Sequence, residues 1–266
     1  MRFTSLDEWL SWQETLHPTD IELGLERVAT VFQQLHSEPP PFPVITVAGT
    51  NGKGSSVAML EAILLAAGYR VGTYTSPHLL IYNERVRLAG EPVSDALLIE
   101  SFARIDEARQ DTSLTYFEFG TLAALDIFYR QVPDVVVLEV GLGGRLDAVN
   151  IIDPNVALIT SISVDHAEWL GDDRETIAVE KAGIMRPGIP VVYGGRPVPD
   201  AIVSRAAEIG ASLLLRDRDF ALDGVPQPGL AGDFQVGNAA AVLALLQASG
   251  IDKAVDPVLV QRVLPA

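Results

Sequence analysis

Apolar positions in this chain recur at two periods, and the switches between them fall at glycine- and proline-rich turns. Val44 to Ala48 is a short apolar run, and Val135 to Val140 and Val156 to Ile162 are near-continuous apolar runs of strand length, as expected in a parallel sheet covered on both sides. Tyr69 to Thr73, Pro190 to Tyr193 and Ser212 to Leu215 read as further strands. Between them lie segments with helical spacing: Lys53 to Ala67, Asp95 to Gln110, Phe117 to Arg130, Arg174 to Met185, Asp200 to Ile209 and Asp233 to Ser249. Ahead of the first strand, Ser5-Leu6-Asp7-Glu8 is a capping-box pattern that opens a helix running to about Leu16. A second helical pattern covers Glu22 to Leu35, and Pro39-Pro40-Pro41 with Pro43 stiffens the connector that follows. Pro77 to Pro92 and Gly224 to Gly232 read as loops.

Strands that alternate with helices predict βαβ units. The expected fold class is therefore α/β, a doubly wound, mostly parallel sheet with helices on both faces and a ligand site at the carboxyl ends of its strands. No internal repeat is visible, and residues 1–266 are read as one domain. A net charge of −16 leaves no broad basic face, so neither nucleic acid nor an anionic membrane is expected as a partner. Ala239 to Leu246 has only the length of a buried helix, and Met1 to Leu10 carries Asp7 and Glu8 with no apolar stretch of signal-peptide length. The absence of cysteine removes disulfides, thiolate zinc sites and a cysteine nucleophile. The reading is a cytoplasmic protein that works as a monomer, although the residues themselves do not set an oligomeric state.

The candidate chemistry sits at the ends of the predicted strands. Gly49-Thr50-Asn51-Gly52-Lys53-Gly54-Ser55 joins a strand to a helix, where glycines let backbone N–H groups turn onto a phosphate and the helix dipole favours an anion. Its spacing is shorter than the common phosphate-loop pattern, but the strand before and the helix after it match. Lys53 would supply charge to the β/γ-phosphates of ATP, and Ser55 or Ser56 could reach magnesium. Glu139 closes an apolar strand where a nucleotide hydrolase keeps its magnesium-side acid, although a strand-end glutamate can also simply pair with Arg145. His166, after the strand Val156 to Ile162, is either a metal ligand or a structural histidine. By spacing alone Lys181 would be solvated and Tyr116 to Phe119 would pack into the core.

Taken in order, Thr46 to Ser55, Thr75-Ser76-Pro77-His78-Leu79, Glu84-Arg85-Val86, Tyr116 to Thr121, Leu138 to Asp147, Asp165-His166, Glu180 to Ile184 and Asn238-Ala239-Ala240 span nearly the whole chain. This series resembles the folylpolyglutamate synthase/dihydrofolate synthase family of Mur-type ligases, and the sheet is then expected to be a P-loop, Mur-ligase-like central domain. The resemblance implies that ATP phosphorylates the carboxylate of dihydropteroate or a folate and that the amine of L-glutamate displaces the phosphate. It also implies site residues. Thr50, Asn51, Gly52, Lys53, Gly54, Ser55 and Asn238 would bind ATP, while Ser76, Glu139 and His166 would hold Mg2+. Thr15, Leu16, His17, Thr115, Tyr116, Phe117, Leu146 and Asp147 would bind the folate. Lys181 matches a lysine that the family carbamylates; with Lys53, Glu139 and His166 it would form the catalytic set. The family continues into a smaller glutamate-ligase domain, which this reading expects to be absent from a chain ending at Ala266. Such a chain alone would be inactive. Two other readings stay open: a folylpolyglutamate synthase without the dihydropteroate reaction, and a nucleotide-binding fragment without ligase chemistry.

Overall fold

The computed structural model describes residues 2–251 and 256–265; Met1, residues 252–255 and Ala266, including both ends of the span read as one domain, lie outside the described residues. In chain order the elements are α1 (Leu6–Gln13), α2 (Glu26–Leu35), β1 (Val44–Ala48), α3 (Lys53–Ala66), β2 (Val71–Tyr74), β3 (Val86–Leu88), β4 (Glu91–Pro92), α4 (Asp95–Arg109) and α5 (Tyr116–Gln131). They continue with β5 (Val135–Glu139), β6 (Val156–Ile159), α6 (Ala167–Leu170), α7 (Arg174–Ala182), β7 (Pro190–Tyr193), α8 (Asp200–Ile209), β8 (Ser212–Leu215), α9 (Gln235–Ser249) and α10 (Pro257–Val263).

One eight-stranded sheet carries them in the order β4-β3-β2-β5-β1-β6-β7-β8. The six strands from β2 to β8 across the sheet run parallel, and β3 and β4 add an antiparallel edge. Side chains of successive strand residues fall on opposite faces. Val136 and Leu138 of β5 pack with α1, α2, α4, α5, α7 and α8, while Val135 and Val137 pack with α3, α9 and α10. Both faces are covered, which is why these strands read as continuous apolar runs.

Several boundaries differ from the sequence expectation. The first helix stops at Gln13 and the second starts at Glu26, because the Pro18-to-Gly24 stretch leaves helical geometry. Pro77 to Pro92 is more than loop: it contains a 3-10 turn (Tyr82–Arg85) and the short strands β3 and β4. These strands are too short for their alternation to register. The helix expected to reach Met185 ends at Ala182, and α6 and α10 were not expected.

β1 lies between β5 and β6, so the chain departs in opposite directions from its two flanks. The crevice at their carboxyl ends is the topological switch point of the sheet, where ligands of open α/β folds bind.

Candidate active site

The loop from Gly49 to Gly52 leaves β1 in a conformation that side chains oppose. Gly49 has φ of 148°, and a Cβ there would lie 1.9 Å from Thr160 Oγ1. Gly52 has φ of 88° and begins α3 without any side-chain cap, so the first-turn N–H groups of a 14-residue helix stay available to an anion. The segment after β6 holds this loop in shape. Thr50 N–H donates to the Ser161 carbonyl at 2.7 Å, and Thr160 Oγ1 and Ser161 Oγ donate to the Asn51 carbonyl at 2.7 and 3.0 Å. Asn238 of α9 lies against Gly52: a Cβ at Gly52 would meet its amide at 2.8 Å.

Two ammonium groups converge on this loop. Lys53 Nζ donates to the Gly49 and Thr50 carbonyls at 3.1 and 3.3 Å, and Lys181 Nζ donates to the same Gly49 carbonyl at 3.0 Å. Lys181 is buried, contrary to the solvated position its helical spacing suggests. Burial first, and the Lys53 charge second, bring its pKa down to about 8. With Asp165 and His166 these lysines bound a cavity of about 20 Å³ beside the loop.

Glu139 ends β5 in the same crevice. Burial raises its pKa to about 7, although Lys53 and the Ser76 N–H, 3.3 Å from Oε2, pull the other way; Asp147 adds to the rise. It makes no pair with Arg145, whose guanidinium goes to Glu180 at 2.8 Å. A half-compensated buried carboxylate that accepts the Ser76 N–H is a hard oxygen donor suited to a divalent cation, and Ser76 and His166 share the lining of one cleft. His166 stands at the edge, its side chain 58% exposed and its backbone left-handed at φ 50°. Among the described residues no three His, Asp or Glu side chains converge as a protein-only metal cage would need. Any ion here would keep much of its shell as water or phosphate oxygen.

A second, larger cleft of about 710 Å³ opens next to these groups. It brings together His17, Thr115, Tyr116, Phe117, Leu146 and Asp147 of the expected folate set with Ser76 and His166 of the expected metal set. Thr15 and Leu16 do not line it: Thr15 caps the end of α1 by donating to the Trp12 carbonyl, and Leu16 packs against the core. Thr115 and Tyr116 sit at the start of α5, where Thr115 and Glu118 form a capping box. Asp147 is buried, with its carboxylate accepting N–H bonds from Leu142 and Val149 at 2.8 and 3.0 Å. Burial raises its pKa to about 6 against those bonds. Phe117 closes over Gly141, where a Cβ would come within 2.6 Å of its ring.

A third cleft, about 590 Å³, runs from Asn51, Gly52 and Asn238 past Arg216 and Phe234. Neither Arg216 nor Phe234 carries a sequence motif, and only folding brings them to the phosphate loop.

Comparison with known proteins accords with this arrangement. The Mur ligase middle domain family matches residues 47–189. The dihydrofolate synthase/folylpolyglutamate synthase of Escherichia coli K12 is 49% identical over 269 residues, covering 93% of this chain. This chain spans 61% of that relative's length. The solved structure of E. coli FolC in complex with DHPP and ADP has TM-score 0.91 and 46% identity, over 98% of this chain and 66% of that one. The bifunctional folylpolyglutamate synthase/dihydrofolate synthase of Yersinia pestis complexed with AMPPNP and Mn ion has TM-score 0.89 and 49% identity, over 98% and 67%.

Proposed function

The chain belongs to the folylpolyglutamate synthase/dihydrofolate synthase family of Mur ligases, and from that membership we propose that it carries the nucleotide and pterin sites of an ATP-dependent ligase. The ligase joins the carboxylate of dihydropteroate, or of a folate, to the amine of L-glutamate. One observation carries this reading: the cavity at the phosphate loop and the large cleft share Gly141, Leu142 and His166 as a common wall. A carboxylate at the inner end of the cleft would be delivered to a terminal phosphate held by the loop.

The phosphates of ATP lie along Thr50 to Ser55, and Lys53 turns from its two carbonyl acceptors to the β/γ-phosphate oxygens. Asn238 and the Arg216 cleft take the rest of the nucleotide. Ser76, Glu139 and His166 would hold magnesium, which would supply positive charge to the phosphate oxygens. The substrate ring lies in the large cleft that Phe117, Leu146 and Asp147 line. Its carboxylate oxygen attacks the γ-phosphorus, and ADP leaves with the electrons of the broken P–O bond. The glutamate amine then adds to the acyl carbon, loses a proton, and expels phosphate. A carboxylate is a poor electrophile until its oxygen becomes a leaving group, so positioning and charge neutralisation account for most of the catalysis. Lys181, nearly dry and with a depressed pKa, takes up CO2 as a carbamate and so converts a cation into an anion beside the phosphate loop.

The test follows ADP and amide product with dihydropteroate or a reduced folate as acceptor of labelled L-glutamate. The assay uses a polypeptide of the relatives' full length, of which this chain spans 61%, and there product that depends on all three substrates is expected. ADP release independent of acceptor and glutamate would overturn the reading, and product from reduced folate alone would restrict it to polyglutamylation. Lys53→Ala should weaken Mg-ATP binding by about 1.5–3 kcal/mol, the value of a charge-assisted contact. It should leave thermal unfolding unchanged, because its half-exposed side chain bonds only to loop carbonyls.

A further inference from the structure

Among the described residues, most carboxylates that wall the large cleft have partners, Glu14 and Asp20 excepted. Glu22 meets His17 at 2.8 Å and also Arg27; Arg27 reaches on to Glu118 at 3.0 Å. Asp147 is saturated by backbone donors. Arg85 differs from this pattern. It lines the cleft beside Ser76 and Pro77, and no carboxylate lies within ion-pair distance of it among the described residues. Its Nε–H donates to His78 Nδ1 at 2.8 Å, which fixes His78 as the tautomer protonated on Nε2. The guanidinium carbon lies 5.5 and 5.6 Å from the ring centres of Tyr82 and Tyr116. The backbone fixes the position as well: Thr75 N–H donates to the Arg85 carbonyl at 2.9 Å, tying Arg85 to the residue before Ser76.

A guanidinium oriented through Nε, flanked by aromatic rings and without a carboxylate partner suits a planar anion, which it can grip with N–H bonds. The flanking rings replace water around it, so an incoming anion displaces little hydration. In a chain of net charge −16, such a guanidinium supplies the local positive charge that an anionic substrate needs in order to approach.

We infer that Arg85 is the specificity-determining cation of this cleft, gripping the carboxylate end of the acceptor substrate, with His78 as its positioning residue. The inference rests on the ligase reading above and deepens it. The contact does two things. It selects acceptors that carry a carboxylate, and it offsets the repulsion between that carboxylate and the phosphates it must approach.

The experiment compares binding of pteroate with that of its neutral carboxamide, by titration calorimetry, to the protein and to Arg85→Gln and Arg85→Lys. The native protein should prefer the carboxylate about tenfold to a hundredfold, the range of a charge-assisted pair. Arg85→Gln should bind both ligands equally, at the affinity the native protein shows for the amide, and Arg85→Lys should recover part of the preference. A structural role for Arg85 predicts a different result, an equal loss for both ligands, and that outcome would overturn the inference. So would a preference that survives Arg85→Gln. If the native protein binds neither ligand, the ligase reading falls together with this one. Far-ultraviolet circular dichroism on each variant separates misfolding from lost recognition. Should Arg85→Gln fail to fold, His78→Ala supplies the second readout: freed from its buttress, Arg85 should keep the carboxylate preference but lose several-fold in its size, and an unchanged preference would count against the arrangement.

Discussion

The groups at the centre of the site are held away from their ordinary ionisation. Glu139 and Asp147 rise to about 7 and about 6, and Lys181 falls to about 8, in each case with burial as the leading cause. For Lys181 the shift has a chemical consequence. Only a neutral amine attacks CO2, and near pH 8 about half of this side chain is neutral, against well under a hundredth of a free lysine. A labile carbamate is therefore expected, visible as a carbonyl resonance when the protein is equilibrated with 13C-bicarbonate near pH 8 and lost in Lys181→Arg. A spectrum with no such resonance, or one that persists in the variant, would remove the carbamate from the mechanism. The positions of Lys53 and Glu139 were legible in the sequence because a strand-to-helix turn and a strand end are local features. Arg85 was visible only as part of a motif. Its chemistry depends on His78, Tyr82 and Tyr116, which the 3-10 turn and α5 bring around it, and no spacing rule encodes that meeting.

Whole elements carry site residues by their ends. Thr115, expected from sequence to touch the folate, is first of all the cap of α5. Its Oγ1 accepts the Glu118 N–H at 3.2 Å, and Glu118 returns a bond to the Thr115 N–H at 2.8 Å. Glu118 also takes Arg27, so this one cap joins α5 to the start of α2 and sets the entrance of the cleft. Thr115→Ala should cost about 1 kcal/mol of stability, within the range for lost caps, and Thr115→Ser should restore it. Chemical denaturation measures both. If alanine costs nothing while acceptor binding collapses, Thr115 acts on the ligand instead of the helix. The helices other than α6 and α10, and the parallel strands, were legible because each buries a continuous or helical apolar face. The β3–β4 edge was not, since strands of three and two residues offer too few positions for a period to show. The end of α1 was misjudged for a related reason: Leu16 continues the apolar spacing and does pack on the core, but from a turn outside the helix.

Two buried carboxylates, Asp126 and Glu139, have opposite effects on stability. Asp126 of α5 is fully buried between three elements. His36 after α2 and Arg104 of α4 each lie 3.0 Å from Oδ1, and Arg130 lies 3.1 Å from Oδ2. Burial raises its pKa, but the His36 bond and the two arginines more than reverse that and leave it below the ordinary 3.8. A depressed folded-state pKa means the charged form stabilises the fold. That contribution is present above about pH 3.8 and disappears as pH falls through the lower folded value. Glu139 is the reverse case. Its pKa rises from 4.5 to about 7, so the native state holds a proton that the unfolded chain has already released, and stability is lost as pH climbs through that window. Two substitutions should then move stability in opposite directions. Asp126→Asn leaves Arg104 and Arg130 facing a neutral amide and should destabilise by about 3 kcal/mol at neutral pH, with the deficit shrinking only in strong acid. Glu139→Gln keeps an acceptor for the Ser76 N–H and removes the buried charge. It should match the native protein near pH 4.5 and exceed it by up to roughly 3 kcal/mol above pH 7, while abolishing ligation. Denaturant unfolding of the three proteins between pH 4.5 and 8, in the presence of a chelator, supplies the comparison. A Glu139→Gln protein less stable than the native one at pH 8 would mean that this carboxylate serves the fold, and the separation between scaffold charge and site charge would not hold.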